Sequence, residues 1–206
     1  MRNVPPPPDV EIETNELQTS DPFSILREDQ SDVSILYIVR DSSKGIEDYL
    51  QPGFASAHIG TRKPIFLSTP KHPFSNRSML SLQDFEGVTI ATTLCPVASI
   101  HAESLKCFFA NRGIAVHILG IPVNRHEDMF MADLDDCIAF WFEETPIASV
   151  YESLELRCCQ TNFDLMTDAH LLYCPDHLSD QHLLYLDAVR EMESKKPLPN
   201  ESGEAR

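Results

Sequence analysis

The sequence predicts an α/β fold with mostly parallel sheets, on three observations. Nearly continuous apolar runs of strand length, Val33 to Val39 and Ile138 to Phe142, suit strands covered on both faces. Between such runs lie segments whose apolar residues recur at helical spacing, as Ala98, Ala102, Leu105 and Phe109 do. The alternation of the two kinds of segment points to parallel strands joined through helices. With 206 residues, 42 % hydrophobic and 23 % charged, the chain is long and apolar enough for a sizeable core, in one domain or two small lobes.

Residues 1–8 end in four consecutive prolines, which favour an extended conformation and predict a tail. Val10, Ile12 and Thr14 alternate with Glu11, Glu13 and Asn15, a period of two that predicts a strand over 9–17. Thr19-Ser20-Asp21-Pro22 supplies an N-cap and a first-turn proline for a short helix burying Phe23, Ile25 and Leu26. After strand 33–39, the polar stretch 41–53 with Gly45, Pro52 and Gly53 predicts a loop with one helical turn. Ala55 to Ser68 reads as one or two strands, Lys71 to Arg77 as turns, and Ser81 to Gly87 as a short helix stopped by glycine. Strand 88–92 then leads into a helix near 98–111 that Gly113 ends, and Ala115 to Val123 forms the next strand. Arg125 to Cys137 is predicted helical, with Met129, Leu134 and Cys137 inward, ahead of strand 138–142. Leu154 to Cys158 and Leu171 to Cys174 are further strands, Leu178 to Met192 is a helix, and polar 193–206 is a disordered tail.

Composition removes several classes of function. Sixteen basic against thirty-two acidic residues leave a net charge of −16, and no basic run is longer than two residues, as in Lys195-Lys196, unsuited to neutralising phosphates. Direct nucleic-acid binding is therefore not expected. No apolar run reaches the ~18 residues of a membrane span and the N-terminus lacks a secretory h-region, so a cytoplasmic protein is expected. The six cysteines form no CxxC pair and the eight histidines are scattered, so neither a disulfide framework nor a metal centre is expected. No nucleophile elbow, Walker loop, G-x-G-x-x-G or HExxH occurs, and seven glycines leave little for a phosphate cradle. No catalytic residue and no cofactor are predicted.

Several phrases, in order, resemble the effector-binding domain of LysR-type transcriptional regulators over about 9–192. Pro8-Asp9-Val10-Glu11-Ile12 is similar to that family's "P-x-V-x-L/I" strand, and Ile25 to Val33, with Asp32 at the Asp position, to its "L-x-x-G-x-L-D" strand entry. Lys71-His72-Pro73-Phe74 and Leu82-Gln83-Asp84-Phe85-Glu86-Gly87 resemble the "H-P-L/F-A" and "L-x-D-L-x-G" signatures, and Phe108 to Ile114 the "F-x-x-A-G-I/F" pattern. Nothing here matches the family's winged helix-turn-helix or the first strand and helix of its effector domain. Leu134-Asp135-Asp136-Cys137-Ile138 replaces the usual "G-x-G-hydrophobic" turn. The resemblance implies a two-lobed, type 2 periplasmic-binding-protein-like fold with two mostly parallel twisted sheets and an effector cleft between them. Residues 9–70 plus 171–192 would form lobe I and 71–170 lobe II.

The same resemblance implies a small carboxylate or aromatic effector, and a dimer or tetramer with itself or another LysR-type chain. Thr92, Thr93 and Ser99 fall where the family places effector-contacting hydroxyls, or they simply cap the following helix. Asn124 and His126 occupy the next strand-to-helix junction, Asn124 as the N-cap and His126 either donating to a carboxylate ligand or sitting in water. Arg40 and Ser42 would face the cleft from lobe I, with Arg40 either clamping a carboxylate or closing a salt bridge. Trp141 is either core or ligand contact. Phe23, Ile25 and Leu26, with Leu105, Phe108 and Phe109, lie on helices that the family uses for side-by-side dimers, although burial within each lobe explains them equally well. An alternative function is a non-sensing dimerisation module that modulates full-length relatives.

Overall fold

A computed structural model describes residues 11, 13, 21–28, 30–122, 126–142 and 155–194. The strand expected over 9–17 and both tails lie outside the described residues, apart from exposed Glu11 and Glu13 and the 193–194 end of the last helix. Among the described residues, nine strands fall into two sheets. Helix α1 (Pro22–Arg27) starts as expected, with Asp21 Oδ2 accepting from Ser24 N at 2.9 Å, and buries Phe23, Ile25 and Leu26. Strands β1 (Val33–Val39), β2 (Ala55–Arg62) and β9 (Thr167–Tyr173) form a three-stranded sheet with β9 in the middle. Both of its pairings are antiparallel, unlike the parallel arrangement expected. A continuous apolar run records burial on both faces but not strand direction.

The larger sheet holds β3 (Pro64–Ser68), β4 (Met79–Leu80), β5 (Thr89–Thr93), β6 (His117–Ile121), β7 (Ile138–Phe142) and β8 (Arg157–Thr161). Its order is β4-β8-β3-β7-β5-β6, with β5 parallel to β6 and β7, and β3 antiparallel to β7 and β8. Strand β3 lies within the span expected for lobe I yet pairs in this sheet. The chain crosses between sheets at Lys63 and again through 162–166, rather than at residues 70 and 171. Strand β8 begins three residues later than its apolar pattern suggests, and the predicted helix over 125–137 is a single 3-10 segment, His126–Met131. Acidic Asp133, Asp135 and Asp136 interrupt the apolar pattern there, and Asp133 Oδ1 accepts from Asp135 N at 3.1 Å in a local turn.

Three apolar clusters hold this together. One face of the large sheet packs Phe66, Ile90, Ile138 and Phe140 against Phe85 and against Leu105, Phe108 and Phe109 of α2 (Pro96–Ala110). The other face packs Ile65, Leu67, Ala91 and Ala139 against Met129, Phe130 and Leu134. The small sheet packs Leu36, Ile38 and Leu172 against Phe23, Leu26 and Ile46, and α2 contributes Val97 and Ile100 to this cluster as well. Helix α2 therefore serves both sheets. It stops where Gly113 takes φ +73°, a left-handed conformation that suits glycine, so that Ile114 N reaches Phe109 O at 3.0 Å. The chain closes with α3 (Asp180–Ser194), which packs on β2 and buries Leu186.

Candidate functional site

Register places a charged group in the small sheet. Asp168 on β9 sits between Ile38 of β1 and Thr61 of β2, and Arg40 follows β1 directly. The Arg40 guanidinium grips Asp168 with two bonds, Nε to Oδ2 at 3.1 Å and Nη2 to Oδ1 at 2.6 Å. It also donates to Thr61 Oγ1 at 2.7 Å, and that hydroxyl donates on to Asp168 Oδ1 at 2.7 Å. Burial alone would raise the Asp168 pKa, but the bonds from Arg40 and Thr61, with the Arg40 charge, hold it below the ordinary carboxylate value. The bond to Asp168 in turn raises Arg40. His58 Nε2 lies 3.4 Å from Asp168 Oδ1, and its ring sits 5.4 Å from that of His170, whose pKa burial pushes down. The carboxylate that Arg40 clamps is thus the chain's own, and Ser42 Oγ donates to Lys44 O at 2.5 Å.

At the start of α2, Cys95 caps the helix and the neighbouring hydroxyls bond to it. Cys95 Sγ accepts from Ala98 N at 3.4 Å, Thr93 Oγ1 lies 3.9 Å from that sulfur, and exposed Ser99 donates to Cys95 O at 2.9 Å. Thr92 is buried on β5. Asn124 and the side chain of His126 lie outside the described residues. Trp141 is half-buried in the cluster on the far face of the large sheet, its ring 4.9 Å from that of Phe130. That is the face opposite Phe140, so Trp141 does not look toward the small sheet.

Among the described residues, the candidates on the two sides of α2 stand apart. Loop 40–44 meets the middle and end of α2, through Lys44 Nζ to Glu103 Oε1 at 2.5 Å and Arg112 Nη1 to Asp41 O at 3.5 Å. Thr92, Thr93 and Ser99 stand at its beginning, and the helix body lies between the two groups. The six residues on the helices expected to form dimer contacts are packed inside this chain. Phe23, Ile25 and Leu26 are at most 5 % exposed, and Leu105, Phe108 and Phe109 are fully buried. Phe108 and Phe109 are both enclosed because Phe163 packs 6.2 Å from each ring and Arg112 lies over Phe108 at 3.6 Å.

The place where the two sheets meet was not legible as a site in the sequence. There Val39 N, at the edge of β1 away from β9, donates to Ser104 Oγ at 3.0 Å, and Ser104 Oγ donates to His101 O at 2.7 Å. Tyr37 of β1 touches Phe142 of β7 with ring centres 4.9 Å apart, and His101 packs on Phe140 at 4.4 Å and on Phe142 at 6.0 Å. Burial of its ring pushes the His101 pKa down to about 4. The available signal was helical spacing, since Val97, His101, Ser104 and Phe108 fall on one stripe, but two polar members disguised it.

No family model matches the sequence, and no curated protein matches it either. Solved structures match its fold. HinK, a LysR family transcriptional regulator from Pseudomonas aeruginosa, superposes with TM-score 0.61 at 16 % identity, over 90 % of this chain and 62 % of HinK. The regulatory domain of MetR, a LysR family regulator from N. meningitidis, does so with TM-score 0.54 at 16 % identity, over 88 % of this chain and 79 % of MetR's. The effector-binding domain of QuiR in complex with shikimate gives 0.58 at 16 %, over 85 % and 78 %. The chain therefore has the two-sheet, type 2 periplasmic-binding-like fold of LysR regulatory domains.

Proposed function

We propose that this chain is the sensor module of a LysR-type regulator. It takes a small anionic or aromatic metabolite between two lobes and controls transcription through a DNA-binding region outside the sequence given. The observation that carries this reading is the fold held in common with HinK over 90 % of the chain. The lobes are the three-stranded and six-stranded sheets, connected at Lys63 and 162–166, and sensing works by altering how α2 sits between them. The module acts in the cytoplasm, without catalysis and without touching DNA itself, since a net charge of −16 repels phosphates. It pairs with itself or with another LysR-type chain.

The test is a thermal-shift screen of the purified chain against small carboxylates and aromatics, with Trp141 fluorescence as a second channel. A ligand selective for the folded state raises stability by ~2.7 kcal/mol at a hundred times its dissociation constant. A cooperative transition that no compound moves overturns the reading. It would favour a second one, a non-sensing module that tunes full-length partners. The internal engagement of Arg40, Thr93 and Ser99 supports that alternative, and co-purification with a LysR-type chain would establish it.

A further inference from the structure

We infer that the molecule taken up between the sheets is a neutral aromatic bearing one hydrogen-bonding group, received by the rings of Tyr37, Phe140 and Phe142 and by His101 Nε2. This rests on the sensing function proposed above and narrows it. Tyr37, Phe142, His101 and Phe140 form an unbroken succession of rings, with steps of 4.9, 6.0 and 4.4 Å, leading from the small sheet into the large one. Any ligand that parts the sheets at α2 must replace ring-on-ring contacts here, and a flat aromatic does so with the least loss.

Within this apolar wall His101 is 6 % exposed, and its Nε2 has no hydrogen-bond partner. An unsatisfied buried polar atom costs stability, and a ligand group that meets it recovers that cost on binding. Apolar surroundings with one polar atom select an apolar ligand with one complementary atom.

Charge argues against an anion. On α2 the neighbouring acid Glu103 and the loop cation Lys44 engage each other, and on β1 the flanking cation Arg40 is held by Asp168. On β7, Phe140 and Phe142 bring no charge. Arg62 acts electrostatically on Tyr37, the titratable group facing from β1, but burial is the sole influence on His101, which stays neutral at pH 7. A chain of net charge −16 adds general repulsion of anions.

The test measures thermal shift and Trp141 fluorescence with benzamide, phenol and benzoate, the last matching benzamide in shape but carrying a charge. Benzamide or phenol is expected to bind saturably, with benzoate weaker by about tenfold or more, because a buried anion pays its desolvation and the flanking cations Arg40 and Lys44 are already engaged. His101→Phe, which keeps the ring and removes the polar atom, should weaken the neutral ligand by about tenfold, the ordinary value of one buried hydrogen bond. His101→Gln, which restores a polar group, should recover most of that loss. Benzoate binding as tightly as benzamide, or binding indifferent to His101→Phe, overturns the inference. If other compounds of the wider screen bind while the neutral aromatics do not, the inference falls and sensing stands. If nothing binds, sensing itself falls.

Discussion

The six-stranded sheet is covered on both faces by apolar side chains from its own connections, whereas the three-stranded sheet gives part of one face to charge. In the large sheet Phe66, Phe85, Phe108 and Phe109 are wholly buried, and Phe85 lies 4.8 Å from both Phe66 and Phe109. In the small sheet Asp168 and His170 share the face that carries Leu172, and part of the apolar cover comes from Val97 and Ile100 of α2. The small sheet thus depends on the large one through a helix that both use. Phe85→Ala should show the dependence most strongly. Removing a fully buried ring costs about 3–5 kcal/mol, and because α2 is shared, one cooperative transition should move as a whole in a urea melt. Two separated transitions would mean that the sheets fold independently.

The junction itself is probed by acid. His101 titrates near 4 in the folded chain and near 6.5 when unfolded, so between those values the unfolded state holds the extra proton. Stability then rises with pH through that window. It is fully present above about 6.5 and lost as pH falls toward 4, by roughly 3 kcal/mol at 1.36 kcal/mol per pKa unit. His101→Phe should flatten most of this slope when urea melts are compared at pH 7 and pH 4.5. His72 and His170, also lowered by burial, leave a residual slope of the same sign. An unchanged slope in the variant would show that the His101 ring reaches water in solution.

How much of this could be read beforehand follows from the range of each interaction. Strands β1, β5 and β7 were legible because apolar runs declare themselves locally, and α1 because Asp21-Pro22 is a local start signal. Strand β8 was misplaced because Arg157-Cys158-Cys159-Gln160-Thr161 has little apolar character, and its place between β3 and β4 comes from backbone pairing. The partner of Arg40 lies 128 residues away, so the sequence showed a candidate clamp but not that Asp168 fills it. His101 and Ser104 were hidden for a related reason. Polar residues on a helix stripe look solvent-facing until a second sheet covers them.

Two smaller effects separate the cover from the charge. Ser104 is fully buried and supplies the acceptor that Val39 N would otherwise find in a neighbouring strand. Ser104→Ala should cost about 1–3 kcal/mol by leaving that amide unpaired. It should also speed hydrogen exchange at Val39 before the large-sheet core, and uniform exchange would sink the idea of a local seal. Arg40→Met comes next. The bidentate bond to Asp168 is lost, but with the guanidinium side chain 32 % exposed, water screens it and the cost should be about 1 kcal/mol. Chemical denaturation at low and moderate salt checks this, and a loss several times larger would mean that the pair is effectively shielded from solvent.

The smallest effect falls at the ion pair that most visibly bridges the two regions. Lys44 Nζ reaches Glu103 Oε1 at 2.5 Å, from the loop after β1 to the body of α2, and the bond raises the Lys44 pKa. Short distance is not strength here, because both side chains are more than two-fifths exposed, and ordering them in water offsets what the attraction gains. Lys44→Met should therefore leave the unfolding midpoint unchanged within error at physiological salt, in contrast to Ser104→Ala one helical turn or less away. If Lys44→Met destabilised as much as Ser104→Ala, the sheets would be held together by surface charge. The buried seam of Ser104, His101 and the rings would then not be what couples them.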